Sequence, residues 1–266
     1  LHPYTGCSHM CVYCYASSYI GVRPSTPKHR FLERLRRDIA KADRRLVVNL
    51  STSSDPYPPI ERELMLTRET LKVLAEEGFK VLITTKSGIV VRDHDVILDM
   101  GGVVSITVTT LREGVARILE PGAPSPKARI RALRELHDLG VPVVVRIDPV
   151  MPFVNDEASE LRRLVELCVD SGASHVVTST LKLKPIIASR LKRSLGDLGY
   201  KIVELYRRQG VNMHGYRYLR RELRERMLWP VVEATRELGV TIATCREGLG
   251  GIYFTAPSCD GQHLIK

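Results

Sequence analysis

Residues 129–148 read RIRALRELHDLGVPVVVRID. Ile130, Leu133 and Leu136 recur at helical spacing on one face, and Gly140 is a natural helix stop. The run that follows, 142–148 (PVVVRID), is apolar on consecutive positions, as in a parallel strand buried on both faces. A helix leading straight into such a strand is the unit of a parallel βα repeat. The unit recurs on both sides. Further strand candidates are 46–51 (LVVNLS), 80–85 (KVLITT), 103–109 (VVSITVT) and 174–179 (SHVVTS). In 158–169, Leu161, Leu164, Val165 and Cys168 form one helical stripe, so Cys168 reads as a core residue. Right-handed crossovers are the rule for such units. Five strands, with a sixth inferred near Leu1–Thr5, make a partial barrel or a doubly wound sheet. No GxGxxG follows any strand, so the dinucleotide-binding form lacks its fingerprint.

Past residue 200 the pattern changes. Residues 200–238 hold two helical stretches rich in Tyr and Arg, and 240–244 (VTIAT) and 251–255 (GIYFT) read as short strands. The expected organisation is a main α/β unit over 1–199, with 200–266 as an α+β extension packed on it. The chain begins at Leu1 rather than Met, which leaves room for a segment upstream.

Composition narrows the class. The chain has 266 residues, 44% hydrophobic and 26% charged, which is ordinary globular usage and excludes disordered and collagen-like classes. No run of 18 apolar residues exists, so no membrane-spanning helix is expected. Forty basic against thirty acidic residues give a net charge of +10, and 29 of the basic residues are Arg. Such a balance favours a polyanionic partner; an Arg-rich, ion-paired surface from a heat-tolerant host is the alternative.

Six cysteines are too few for a disulfide scaffold. Three of them, Cys7, Cys11 and Cys14, fall within eight residues as C-x3-C-x2-C, which points to metal or redox chemistry in a reducing, cytoplasmic compartment. A zinc site needs a fourth ligand. His9 is the only nearby candidate, and packing four ligands into this stretch would strain the loop. A [4Fe–4S] cluster on three thiolates avoids the strain and leaves one iron open, which suits catalysis. The competing reading is a zinc-stabilised nucleic-acid-binding module without catalysis.

In a parallel barrel the functional groups sit at the C-terminal strand ends, and here those ends are polar. They carry Ser51, Thr52, Ser53, Ser54 and Asp55, then Thr84, Thr85, Lys86 and Ser87, then Ser105, Thr107, Thr109 and Thr110. Arg146 and Asp148 follow, and Thr178, Ser179 and Thr180 close the series. Together they suit a ligand with an ammonium and a carboxylate. Asp55 with Ser53 or Ser54 can take the ammonium, and Lys86 or Arg146 the carboxylate, Arg bidentately. The bland alternative is that Asp55 caps a Pro-rich turn and Arg146 pairs with Asp148.

The cysteine spacing, with Tyr13 before the last Cys, resembles the signature of the radical SAM superfamily. The resemblance implies a [4Fe–4S] cluster on Cys7, Cys11 and Cys14 and S-adenosylmethionine (SAM) on the open iron, with Tyr13 near the adenine. It also implies a 5′-deoxyadenosyl radical that abstracts hydrogen, and an electron donor such as ferredoxin or flavodoxin. Over residues 1–180 the Thr-Ser-Ser-Asp run, the later Thr-Lys-Ser, and Leu119-Glu120-Pro121 with Arg129 resemble the spore photoproduct lyase-like branch. That branch implies a partial (β/α)6 TIM-type barrel, with Ser54, Asp55 and Lys86 beside SAM and a further hydroxyl from Ser105 or Thr107. Spore photoproduct lyases carry a hydrogen-donating cysteine just before the Ser-Asp; this chain has Thr52 there. Cys245 and Cys259 lie in polar, Gly-rich surroundings and are candidates for a hydrogen donor, a redox thiol, a disulfide or a second metal site with His263.

Basic stretches at 28–45, 182–193 and 206–226, the last interleaved with Tyr206, Tyr216 and Tyr218, suit phosphates and bases. Tyr57 and Tyr253 are further stacking candidates. Glu222 and Glu225 sit in the same stretch, so pairing within one helix competes with that reading. The expected substrate is a nucleic-acid base or nucleotide-like group; a small molecule or a protein is the alternative.

Overall fold

The computed structural model describes all 266 residues. Two short strands near the start, β1 (Tyr4–Thr5) and β2 (Thr26–Pro27), form an antiparallel pair. The main sheet uses β3 (Val48–Leu50), β4 (Val81–Thr85), β5 (Val103–Thr107), β6 (Val143–Val150) and β7 (His175–Thr180). A hairpin of β8 (Gly210–Met213) and β9 (Tyr216–Leu219) follows, and β10 (Thr241–Thr244) returns to the main sheet. Its order is β10-β7-β6-β5-β4-β3, six strands, every neighbouring pair parallel. This is the expected partial barrel.

Three elements differ from the sequence reading. The sixth strand is β10, not a segment near Leu1–Thr5. That segment is too short for the ladder and pairs with residues 26–27 instead. Residues 251–255 are not a strand: Gly251–Tyr253 is a 3-10 turn, and Phe254 makes only an isolated bridge to Ala243. The basic stretch 206–226 is broken by the β8–β9 hairpin, whose tip His214-Gly215 takes left-handed backbone at both residues (φ 50° and 76°). A tight two-residue turn of this kind joins strands that helical periodicity cannot see.

Period-2 alternation explains the layering. Val81, Ile83, Val104, Ile106, Val143, Val145, Ile147 and Val176 point to the main core. They pack there with helices such as Leu66–Glu76, Pro126–Asp138 and Ala158–Val169. Cys168 lies in this core, fully buried. The opposite face carries a separate small cluster, Leu82, Val103, Val144 and Val177, covered by Leu264 and Ile265 of the tail. On the same face, two residues further along each strand, the side chains turn polar: Thr84, Ser105 and Arg146. The apolar plug thus closes one end of the barrel, and the C-terminal strand ends line a cavity at the other.

Candidate active site

The cavity measures ≈ 700 Å³ and is lined by Cys7, Cys11 and Cys14 together with the strand ends. The cysteine loop follows β1 and is held from several directions. Cys7 N donates to Arg23 O (3.0 Å), Val12 N to Leu119 O (2.8 Å) and Gly122 N to His9 O (3.1 Å). Ser8 and Ser25 exchange two amide-to-hydroxyl bonds, each 3.0 Å. Arg190 donates to Met10 O and to Ser17 Oγ, both at 3.0 Å. Burial pushes the Cys7 thiol up to about 11 and the Cys11 thiol up to about 12. A metal that takes them as thiolates therefore displaces protons as it binds.

The donor set suits a cluster better than a single ion. No three Cys, His, Asp or Glu side chains converge on a one-ion site. His9, the sole candidate for a fourth zinc ligand, is buried, with Nδ1 3.2 Å from Gly122 O and Nε2 2.8 Å from Asp55 Oδ2. Three soft thiols facing an open cavity fit a multinuclear iron–sulfur centre with one exposed corner.

Asp55 is the junction of the strand ends. Its Oδ1 accepts from Tyr57 N (2.9 Å) and Thr85 Oγ1 (2.8 Å), and its Oδ2 accepts from Lys86 N (2.8 Å). Burial alone would raise its carboxyl. Neighbouring His9 and the amides of Lys86 and Tyr57 outweigh burial and hold it at about 2. Asp55 therefore lines the cavity while its oxygens tie the cysteine loop to the end of β4. Lys86 lies 3.8 Å from Glu120 Oε1, with its ammonium 5.8 Å from the centre of the Tyr13 ring. Burial lowers Lys86, but Cys11 and Glu120 outweigh it and raise the ammonium's pKa overall. Tyr13 donates its hydroxyl to Glu120, whose Oε2 lies 2.6 Å from the buried Arg129. The Leu119-Glu120-Pro121 segment thus forms the wall under the cysteine loop.

Of the residues expected from sequence, Ser53, Ser54, Asp55, Lys86, Thr107, Arg146, Cys245 and Cys259 line this cavity with Tyr13 and the three loop cysteines. Ser105 does not. It lies one step deeper, between Val103 and Thr107, fully buried with its hydroxyl unpartnered. Ser54 Oγ donates to Tyr4 O (3.4 Å), and Ser53 Oγ meets Tyr19 OH at 2.9 Å. Arg146 sits 3.0 Å from Asp148 Oδ2, in the expected pairing. Asp148 also accepts from Ser179 Oγ (2.5 Å). The six cysteines are free thiols. His263 faces Ser258 and His175 rather than Cys245 or Cys259.

Asn49, Tyr15, Tyr19 and Arg246 line the cavity and escape the sequence reading; Ser51, Lys182 and Tyr216 line it too and do not. Asn49 and Ser51 line it from the end of β3 with buried, unpartnered side-chain oxygens. Strand alternation places both on the Val47 face, a signal available in the sequence. Tyr57 is fully buried, and Tyr253 packs beside Trp229, so neither offers a stacking face to the cavity. Much of the 206–226 charge is paired: Arg207 and Arg208 with Glu204, Arg221 with Glu225, and buried Arg224 with buried Glu247.

The radical SAM superfamily model matches residues 1–165. An uncharacterized protein of Mycobacterium tuberculosis is 29% identical over 241 residues, 84% of this chain and 71% of that protein. A radical SAM Nalpha-GlyT isomerase of Pseudomonas phage M6 is 24% identical over 294 residues, 98% of this chain and 59% of that protein. Among solved structures, spore photoproduct lyase complexed with dinucleoside spore photoproduct superimposes with a TM-score of 0.70 at 15% identity, covering 95% of this chain and 75% of that one. A mutant of the same lyase with bound AdoMet gives 0.67 at 15% identity, covering 96% and 76%. The family match and the cavity's three thiols agree: this chain belongs to the radical SAM superfamily and is an enzyme whose cofactors are a [4Fe–4S] cluster and SAM.

Proposed function

We propose that the enzyme acts on a base or nucleotide-like unit of a nucleic acid. The observation that carries this reading is the lining of one cavity by cluster-type thiols, aromatic rings and cations together. The cysteine loop lines it together with the rings of Tyr15, Tyr19 and Tyr216 and the cations Arg146, Lys182 and Arg246. Aromatic faces take bases and cations take phosphates. The lyase solved with a dinucleoside supports the same class of substrate.

Cys7, Cys11 and Cys14 would hold the cluster. The chemistry that cluster and SAM would supply, given an electron from a ferredoxin- or flavodoxin-type donor, is hydrogen abstraction from the substrate by a 5′-deoxyadenosyl radical. The chain's own residues bind, orient and shield. Ser53, Ser54, Lys86 and Thr107, with the unpartnered oxygens of Asn49 and Ser51, make the polar collar for the amino and carboxylate groups of SAM. Asp55 fixes that collar to the cysteine loop. The Tyr13 ring, pinned by Glu120, forms an apolar wall, and Arg146 with Asp148 is left to the substrate. Thr52 occupies the position of the lyase donor cysteine and lacks a weak X–H bond. Cys245 and Cys259 line the same cavity and are the hydrogen-donor or redox candidates.

The test is anaerobic reconstitution with iron and sulfide, reduction with SAM, and chromatography for 5′-deoxyadenosine with and without DNA and RNA oligonucleotides. A brown protein should form 5′-deoxyadenosine, faster with one nucleic acid, and the digested oligonucleotide should show a nucleoside of altered mass. Cys11→Ala should abolish both cluster and product. Turnover indifferent to every oligonucleotide, with no altered nucleoside, would sink the substrate assignment.

A further inference from the structure

Three of the tyrosines that line the cavity meet in one corner. Tyr15 and Tyr19 follow the cysteine loop, with centroids 6.4 Å apart and planes at 47°. Tyr15 and Tyr216 meet edge to face, 6.3 Å apart at 83°. Tyr216 comes from the β8–β9 hairpin, so the corner joins segments about 200 residues apart in sequence. Hydroxyl anchors fix two of the rings: Tyr15 donates to Thr52 O at 3.2 Å, and Tyr19 meets Ser53 Oγ at 2.9 Å. Tyr19 is nonetheless 59% exposed, an unusual state for an aromatic ring anchored at its hydroxyl. Lys184 holds its ammonium 4.4 Å from the centre of the Tyr216 ring, and Arg246 lines the same cavity. Neither cation is paired with a carboxylate, unlike Arg207, Arg208 and Arg221 on the nearby helices.

The anchored, exposed ring of Tyr19 and the half-buried ring of Tyr216, beside unpaired cations, form a stacking platform with an anion seat. From this geometry we infer that Tyr19 and Tyr216, with Lys184 and Arg246, bind the nucleotide flanking the reacting one, stacking its base and seating its phosphate. The enzyme then takes a single-stranded or locally opened segment of at least two nucleotides rather than a free nucleoside. The platform reads no base edge, so it tolerates any flanking base. This inference rests on the nucleic-acid reading above.

Binding is measured by fluorescence anisotropy with a short fluorescein-labelled oligothymidylate and with an abasic oligomer of equal length. For the parent protein, the abasic oligomer should bind roughly tenfold more weakly, the worth of one stacked base. Tyr19→Ala and Tyr216→Ala should each weaken oligothymidylate by roughly tenfold and leave the abasic oligomer unchanged. Tyr19→Phe should restore binding, since the ring and not the hydroxyl carries the contact. Lys184→Ala should weaken both oligomers and flatten the salt slope by about 0.7. Far-ultraviolet circular dichroism checks that each variant is folded. If oligothymidylate binds but the Ala variants match the parent, the platform is wrong and the nucleic-acid reading stands. If neither oligomer binds the parent and no oligonucleotide stimulates 5′-deoxyadenosine formation, both fall together.

Discussion

Gly122 shows how one residue governs the seat of the cysteine loop. A Cβ added there would lie 1.9 Å from Ser8 O, a backbone atom of the cysteine loop that cannot swing aside. Gly122→Ala should displace the loop, cost about 1–3 kcal/mol, and lower the iron bound per chain after reconstitution. Gly114→Ala, where a Cβ meets nothing within 4 Å in the helix Glu113–Leu119, should leave iron loading at the parent level. Equal loading of both variants would refute the tight seat. Asp55 sets an acid limit. Its folded carboxyl sits at about 2, against 3.8 ordinarily, so its depressed value stabilises the fold above pH 4. That contribution, on the order of 2 kcal/mol, is lost as pH falls through the folded value. Urea titrations from pH 5 to pH 2 should show Asp55→Asn losing less stability over that range than the parent.

At the scale of elements, the end of β10 is tied to β7 and to the helix Arg221–Glu237 by one buried carboxylate. Glu247, just past β10, is fully buried. It accepts from Thr180 N (2.8 Å) and lies 2.9 Å from Arg224 and 3.2 Å from Lys182. Removing one partner of such a network leaves unpaired charge in a dry interior. Glu247→Ala should therefore cost about 3–5 kcal/mol in chemical denaturation. A loss below about 1 kcal/mol would place the network in solvent. The hairpin also brings Tyr216 to the cavity, so hairpin lesions should weaken oligonucleotide binding before they reduce iron loading.

For the whole molecule, the position of β10 makes the C-terminal segment part of the barrel. Truncation after residue 199 removes β10 and bares the edge of β7, His175–Thr180, which β10 pairs along its length. An uncovered apolar edge recruits other chains. The truncated chain should be insoluble or should elute as aggregates on size-exclusion chromatography. A soluble monomer that still loads iron would show that residues 1–199 stand alone. No helix is long and apolar enough to cross a membrane.

The sequence by itself determined the βα alternation, five of the six barrel strands to within a few residues, and the close spacing of the three loop cysteines. These signals are local: the apolar runs are continuous, and the cysteines fall within one short loop. The strand-end rule also brought out Asp55 and Lys86, past the ends of β3 and β4, and Thr107 at the end of β5, while Arg146 lies inside β6. Only the tertiary structure decided the sixth strand, the role of His9 and the make-up of the tyrosine corner. β10 reads as an ordinary short apolar run; its place beside β7 depends on the path of the intervening helices. His9 looks like a metal ligand until the fold sets Asp55 against its ring. Ser105 and Thr107 are alike in sequence, and depth along one strand separates the buried hydroxyl from the one on the cavity wall. Tyr15 and Tyr216 share no local pattern, because a contact across about 200 residues leaves no trace in periodicity.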